Sequence, residues 1–334
     1  MITVLMTAAG GASIPGIIEH LRSTWGFRVL AADMDRHAAG LYLADKGFVI
    51  PPGASPDFLP VIRSICRQEK VNVFIPLVDE ELVEALEIEA DGVAVLCPRR
   101  AFVESCLDKF VLMQQLKSAG ISVPDTHLAS GDLEEVVFPA MVKPRRGRGS
   151  RGIGVVRSQS ELVQFLKTSP LTPDQLIVQT YIDGLEFTVS VTVWRDGMVH
   201  AVVPKEIICK KGITHLAVTR RNSRIDALCH AVQNSLHADG PFNVQLCVDK
   251  TSSIPLIFEI NPRFSTTVSL TIAAGIDEIG SLISYATCKT KTIPFGKWRE
   301  GVVLLRRTLD EFIDEADFNK RLINIIDKSE LITV

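Results

Sequence analysis

The sequence predicts an α/β chain of more than one domain: a doubly wound parallel sheet first, a small α+β unit next, and an antiparallel-sheet domain last. Three observations carry this. Short β-branched runs alternate with helical stretches over roughly the first hundred residues, a glycine- and arginine-dense segment then interrupts the pattern, and from Gly184 onward strands come in linked pairs. A length of 334 residues suits two or three domains, and 46% hydrophobic with 22% charged residues is the composition of a globular chain with ample core.

In order, residues 2–7 read as a strand, 8–13 as a small-residue turn, and a helix opens near Pro15 and runs to about Trp25. Residues 27–33, 47–50, 71–76 and 93–96 read as further strands. Helices fall over 57–68 and, as one amphipathic helix, 79–89. Residues 108–119 are helical and stop at Gly120. Strands follow at 140–143, 153–156 and 176–179, with a helix at 161–167. Residues 186–194 and 198–207 flank Asp196-Gly197, a hairpin turn signal, and 243–249 with 254–260 form a second antiparallel pair. Helices are expected near 225–237, 265–274, 278–287 and 312–328, and a late strand at 302–308.

Lysine and arginine total 36 against 39 acidic residues, a net charge of −3 that argues against a strongly basic nucleic-acid binder. No apolar run approaches the roughly 18 residues of a membrane helix, and the longest, 71–78, is interrupted by Asn72 and Pro76. The opening MITVLM lacks the charged leader and cleavage site of a signal peptide. Seven cysteines without a C-x-x-C pair point to reduced thiols in the cytoplasm. H-E-x-x-H and G-x-S-x-G are absent, and the histidines show no zinc-ligand spacing.

Three places carry candidate chemistry. Gly10 and Gly11, with Asp33 ending the second strand, suit either a phosphate-binding turn or a tightly packed one, and the missing G-x-G-x-x-G spacing favours packing. Lys143 leads into residues 145–152, which hold four arginines and three glycines and no acid; such a loop can turn its amides onto anionic oxygens. Asn243 and Gln245 lie on one strand, and Glu259 and Asn261 end the next, followed by Arg263. Residues two apart in a strand share a face, and carboxylate plus amide oxygens suit a hard cation such as Mg²⁺.

These residues resemble an ATP-grasp enzyme, and within that superfamily the stand-alone ligases similar to the carbamoyl phosphate synthase large subunit. The resemblance rests on Glu259-x-Asn261-x-Arg263 with the upstream Asn243-x-Gln245 and takes in nearly the whole chain. It implies a pre-ATP-grasp α/β domain over residues 1–106, a small lid subdomain over 107–180, and a large antiparallel-sheet subdomain over 181–334 with the metal site. It implies that Lys109 and Lys143 bind ATP phosphates and that the 145–152 loop, with Arg148, Gly149, Ser150 and Gly152, closes over them. Gln179, Thr180, Tyr181 and Ile182 would hold adenine at a hinge, and Glu186 the ribose. Gln245, Glu259 and Asn261 would hold one or two Mg²⁺, or Mn²⁺ in their place, and Arg263 with Lys143 would act on the transferred phosphoryl group.

The implied activity is that of an ATP-dependent carboxylate–amine ligase. A carboxylate (or bicarbonate) becomes an acyl phosphate, and an amine or other nucleophile displaces phosphate, with ADP released. The implied partners are small-molecule substrates and, at most, a second copy of the chain in a homodimer, with neither nucleic acid nor membrane. Three features depart from the pattern. Thr180 stands where many relatives carry Glu, Gln245 is neutral where other branches use an acid, and the loop is richer in arginine than the usual Gly-Ser lid. The chain is too short for two synthetase halves and has no glutaminase-like segment. A nucleotide-binding sensor without turnover is the main alternative. A nicotinamide-dependent oxidoreductase built on Gly10 and Asp33 would leave Glu259, Asn261 and Arg263 unexplained. Lys205, Lys210, Lys211, His215, Arg220 and Arg221 form a basic cluster that suits either a carboxylate-binding cleft or a solvated face.

Overall fold

The computed structural model describes residues 1–149, 151–288 and 296–323. Backbone contacts divide the chain into two units, one of Met1–Arg100, Arg263–Val302 and Arg306–Val334, the other of Ala101–Pro262 and Val303–Leu305. In the first, β1 (Thr3–Met6), β2 (Arg28–Asp33), β3 (Lys46–Val49), β4 (Val73–Ile75) and β5 (Ala94–Val95) form a parallel sheet in the order β3-β2-β1-β4-β5. Helices α1 (Ile14–Trp25), α2 (Ala39–Leu43), α3 (Phe58–Glu69) and α4 (Leu82–Ala85) connect the strands. Val4, Leu5 and Met6, like Val29 to Ala32, are wholly buried, which is why these strands read as unbroken apolar runs.

The strand order reverses direction beside β1, the place where doubly wound sheets leave a crevice at the strand ends. Glu81 fills it. Its carboxylate accepts the Thr7 hydroxyl and the Leu77 and Val78 amides, the last two at 2.8 and 3.0 Å. This breaks the helix expected over 79–89 into 3₁₀ turns at Asp79–Glu81 and Leu86–Asp91 around the single α turn of α4. A Cβ on Gly53 would lie 2.7 Å from the Glu81 Cβ, so the break at residues 51–53 must end in glycine.

The second unit opens with α5 (Arg100–Leu107) and α6 (Lys109–Ser118). Then β6 (Thr126–Leu128), β7 (Ala140–Pro144), β8 (Gly154–Val156), α7 (Gln159–Thr168) and β9 (Leu176–Thr180) build an antiparallel sheet ordered β6-β9-β7-β8. A larger sheet, ordered β14-β13-β10-β11-β12-β15, is formed by β10 (Gly184–Val193), β11 (Val199–Lys211), β12 (Ile213–Thr219), β13 (Phe242–Asp249), β14 (Pro255–Asn261) and β15 (Val303–Leu305). The Asp196-Gly197 turn joins β10 to β11 as expected, with Gly197 at φ +71°. One face of this sheet packs Phe187, Val189, Val191, Val244, Leu246, Ile257 and Ile260 against α6 and α8 (Ser223–Leu236). The opposite face is polar and carries the candidate site. The chain then returns to the first unit as α9 (Val268–Ala274), α10 (Glu278–Cys288) and α11 (Glu315–Ile323).

Four elements escape the sequence pattern: α2, α5, β6 and β12. The two helices are too short to show a period, and the two strands exist because β9 and β11 supply ladder partners. The tail helix starts at Glu315 rather than near 312, and its expected portion beyond Ile323 lies outside the described residues. Among the described residues no helix is long and apolar enough to cross a membrane, and the described cysteines are free thiols.

Burial pushes the Glu81 carboxyl up to about 7 despite its three hydrogen bonds. The native state therefore keeps a proton that the unfolded chain loses near its ordinary value, and stability falls as pH climbs from there towards about 7. Thermal denaturation between about pH 5 and 8 is expected to show the melting temperature declining in the wild type and a flatter profile in Glu81→Gln. Parallel profiles would place the titration on another group.

Candidate active site

The two polar motifs of the larger sheet meet across β13 and β14. Asn243 pairs with Asn261 and Gln245 with Glu259; the register then shifts, so that Leu246 faces Ile257 and Phe258 becomes the extra residue of a bulge. Strict alternation would put Ile257 on the same face as Glu259. The bulge lets Ile257 and Ile260 both enter the core while Glu259 and Asn261 share the polar face beside Gln245 and Asn243. Asn261 donates its side-chain amide to Asn243 Oδ1 at 3.3 Å. The Phe258 carbonyl, at the bulge, accepts Lys143 Nζ at 3.0 Å.

Lys109 comes to the same place from the start of α6. Its ammonium donates to the Gly147 carbonyl at 2.7 Å and lies 3.3 Å from Glu259 Oε1. The site thus gathers two lysines and one carboxylate from three distant stretches of chain. Burial holds the Lys143 ammonium down at about 8, with Glu259 opposing that shift and the Lys109 charge reinforcing it. A cationic pair sharing one acid is short of negative charge, and that is the electrostatic signature of an anion site.

The loop after β7 carries less loose charge than its sequence suggests. Asp108, nearly buried, caps α6 by accepting the Val111 amide at 3.2 Å, and it also accepts Arg145 Nε at 2.8 Å and Arg146 at 3.2 Å. Arg145 and Arg146 therefore anchor the loop, and the acid that balances them lies well upstream rather than within it. Arg145 and the other hydrogen bonds hold the Asp108 carboxyl below the usual range against its burial. Gly147, Gly149 and Gly152 have φ of +125°, +72° and +67°, the left-handed backbone that lets successive amides converge. Arg148, Gly149 and Gly152 are exposed, and Ser150 lies outside the described residues.

At the end of β9, Gln179 spends its side-chain amide on Thr126 Oγ1 at 2.9 Å, Thr180 its N–H on the Asp125 carbonyl at 2.9 Å, and Tyr181 its N–H on the Pro139 carbonyl at 3.1 Å. Among the described residues the Ile182 amide has no partner, and the Tyr181 ring is exposed. Both are hinge groups open to a ligand. Glu186 lies 2.6 Å from Lys210 Nζ on the neighbouring strand.

Arg263 lies in the first unit, where its Nε sits 2.5 Å from Asp79 Oδ1, both side chains being largely buried. Sequence reasoning passed over Asp79 and Asp108. The available signals were an acid just past the C-terminal end of a parallel strand and an Asp at a helix start. The basic cluster divides. Lys205 is buried, Lys210 pairs with Glu186, and Arg220 pairs with Glu206 at 2.8 Å, while Lys211 and Arg221 are exposed and His215 sits half-buried on β12. Asp33 accepts the Gly10 and Asp35 amides at 2.8 and 2.9 Å, so it clasps the first turn, as the packing reading has it.

The donor set fits a divalent cation. Glu259 contributes a carboxylate, and Gln245 and Asn261 contribute amide oxygens from adjoining register positions. Among the described residues no group of three His, Cys, Asp or Glu side chains gathers as an alternative. With a single carboxylate, already offset by Lys109, the set suits a hard cation that takes its remaining oxygens from a phosphate ligand.

Comparison with known proteins agrees with this geometry. Residues 106–267 match the ATP-grasp domain family and residues 4–95 the PylC-like N-terminal domain family. Among solved structures, the chain is similar to the biotin carboxylase domain of Hydrogenobacter thermophilus 2-oxoglutarate carboxylase, solved with MgADP, ADP and bicarbonate. The identity is 17% and the TM-score 0.71, over 90% of this chain and 73% of that one. It is also similar to the Bacillus licheniformis L-amino acid ligase, at 19% identity and TM-score 0.67 over 86% and 74%. N5-carboxyaminoimidazole ribonucleotide synthetase from Thermotoga maritima matches at 18% identity and TM-score 0.66, over 90% and 78%. The glycine–arginine loop and the paired motifs of β13 and β14 lie inside the first matched segment and the N-terminal sheet inside the second, so residues 106–267 of this chain are an ATP-grasp domain and a PylC-like domain precedes it.

Proposed function

We propose that the protein is an ATP-dependent ligase that activates a carboxylate as its acyl phosphate and couples it to an amine or another nucleophile. The observation that supports this best is the pairing of Asn243 and Gln245 with Asn261 and Glu259 beside two buried lysines. Lys109 and Lys143 would bind the phosphate oxygens of ATP, under the loop that Asp108 anchors. The Ile182 amide and Tyr181 would meet the base. Glu259, Gln245 and Asn261 would hold Mg²⁺, which when bound neutralises phosphate oxygens and favours transfer of the terminal phosphoryl group.

In the first step a carboxylate oxygen attacks the γ-phosphorus, the bond to the bridging oxygen breaks, and ADP leaves. In the second, the nucleophile adds to the acyl carbon, gives up its proton, and phosphate departs. The task of the protein is alignment and charge neutralisation, as in phosphoryl transfer generally. Arg263, whose Nε meets Asp79 within the first unit, has a guanidinium whose fork matches phosphoryl oxygens, the role that the sequence resemblance implies for it. The bicarbonate bound in one neighbour and the amino acids in the name of another belong to the same carboxylate and amine classes.

Three outcomes test this reading. Saturating Mg-ATP or Mg-ADP is expected to raise the melting temperature, because a ligand selective for the native state must stabilise it; a thermal-shift series without response removes the assignment. Glu259→Gln at saturating Mg²⁺ is expected to lower ATP-dependent turnover by roughly 10²-fold or more, with the fold intact and nucleotide binding only partly weakened. Phosphate oxygens next to Lys143 would raise its pKa from about 8, so nucleotide binding takes up a proton and weakens as pH rises past that value. Calorimetry in two buffers of different ionisation enthalpy measures this uptake, and Lys143→Met should abolish it.

A further inference from the structure

At the end of β7 that carries the glycine–arginine loop, a cavity of about 330 Å³ opens between the start of α6 and the 3₁₀ turn Pro173–Gln175 that leads into β9. Asp108, Arg145, Arg146, Leu171, Asp174 and Gln175 line it. Lys109, Lys143 and Glu259 do not, and the hinge residues lie at the other end of β9, so the cavity is separate from the proposed nucleotide site. Its volume falls at the lower end of the roughly 300–1,000 Å³ usual for small-molecule sites.

The walls hold free donors and a free acid. Asp108 takes Arg145 Nε on both oxygens, at 2.8 and 2.9 Å, and Arg146 Nη2 at 3.2 Å. The two terminal nitrogens of Arg145, and Nε and Nη1 of Arg146, find no acceptor among the described residues. The Arg145 guanidinium is kept at the wall by the Phe110 ring, whose centre is 5.8 Å away, and by its backbone N–H, which donates to the Gln175 carbonyl at 2.8 Å. Its Asp108 hydrogen bonds raise the Arg145 pKa most, and the Asp174 charge adds to them. Asp174 nevertheless forms no ion pair with either arginine. The Gln175 side chain gives its oxygen to Thr172, at 3.1 and 3.0 Å, which leaves its amide N–H groups free among the described residues.

Opposite charges set on the walls of one cavity and left apart are complementary to a guest that carries both. The lining charges cancel, two guanidiniums against Asp108 and Asp174. A dianionic phosphate would meet Asp174 as a like charge, whereas a zwitterion finds a partner at each end. We infer that the cavity binds a free α-amino acid, its carboxylate on the Arg145 and Arg146 guanidiniums, its ammonium on Asp174 and its side chain along Leu171. The carboxylate takes N–H groups that Asp108 leaves over, so the loop anchor stays intact and gains a second tie. A loop held in this way loses less freedom when a polyanion arrives beneath it, which makes the two ligands mutually favourable. That coupling rests on the nucleotide reading of Lys109 and Lys143; the amino-acid site itself does not.

The test titrates the full, nucleotide-free chain by calorimetry with L-leucine, L-glutamate and glycine. Isocaproate and isoamylamine, which carry the leucine side chain with one charge each, and inorganic phosphate are the controls. At least one amino acid is expected to bind saturably and more tightly than any control. Asp174→Asn, at an exposed position, is expected to weaken that amino acid about tenfold or more while leaving isocaproate unchanged, and Arg146→Gln is expected to weaken both. A wild type that binds none of the three overturns the site. So do amino acids that bind no better than isocaproate or phosphate, or equally well to Asp174→Asn and wild type. With the site saturated, Mg-ADP is expected to bind about fivefold or more tightly; unchanged Mg-ADP affinity overturns the coupling and leaves the site standing. A chain that binds the amino acid but no Mg-ADP removes the ligase reading, and the coupling with it, without touching the site.

Discussion

The register of β13 against β14, with its single bulge at Phe258, is the constraint on which the rest of the second unit depends. Without the bulge, β14 could not send both Ile257 and Ile260 into the core and still present Glu259 and Asn261 together on the opposite face. Burying an isoleucine is worth about 2–3 kcal/mol, and leaving a carboxylate in its place in the core would cost more than that. The packing of α6 and α8 on the apolar face thus enforces the alignment of the polar face. The bulge also offers a carbonyl to Lys143, so one local irregularity both orders the motifs and docks a cation beside them.

Charge in this unit is distributed sparingly. Glu259 is shared with Lys109, Asp108 with Arg145 and Arg146, and Glu186 with Lys210. Each acid near the site is already engaged with a cation, so an entering polyanion meets a net positive surface whose groups are held in place. Pre-arranged cations of this kind have little to reorganise when phosphate oxygens arrive. The buried Lys143 is the most demanding member, since burial, with the Lys109 charge adding to it and Glu259 opposing it, brings its pKa down to about 8.

In the first unit the parallel sheet ends in a crevice sealed from within. Glu81 ties the end of β1 to the segment after β4, and Asp79, two residues before it, holds the Arg263 guanidinium. A buried carboxyl accepting backbone amides at the end of a strand keeps this segment in a single conformation. The aim of Arg263 is accordingly set by the same few residues that break the expected helix over 79–89.

Much of the architecture was legible from the residues alone. Apolar runs of the length of β1, β2 and β4 suit a sheet covered on both faces, Asp196-Gly197 suits a hairpin, and Asn243, Gln245, Glu259 and Asn261 stood out because alternation gives each pair a common face. Local periodicity and turn chemistry are properties of short stretches, so a linear reading can recover them. The balance of charge is different, because it is set by partners far apart in sequence. The four arginines of the loop read as uncompensated until Asp108 met two of them, and the basic residues after the hairpin read as one cluster until β12 formed and sent Lys205 inward and Lys211 to the surface. Cross-strand register, the bulge at Phe258 and the Asp79–Arg263 pair arise from long-range packing, in which the core chooses among placements that are locally equivalent. The sequence by itself determined which residue types and which folding units were available, and tertiary structure decided which of those charges face one another, because only burial in a shared core can fix a register.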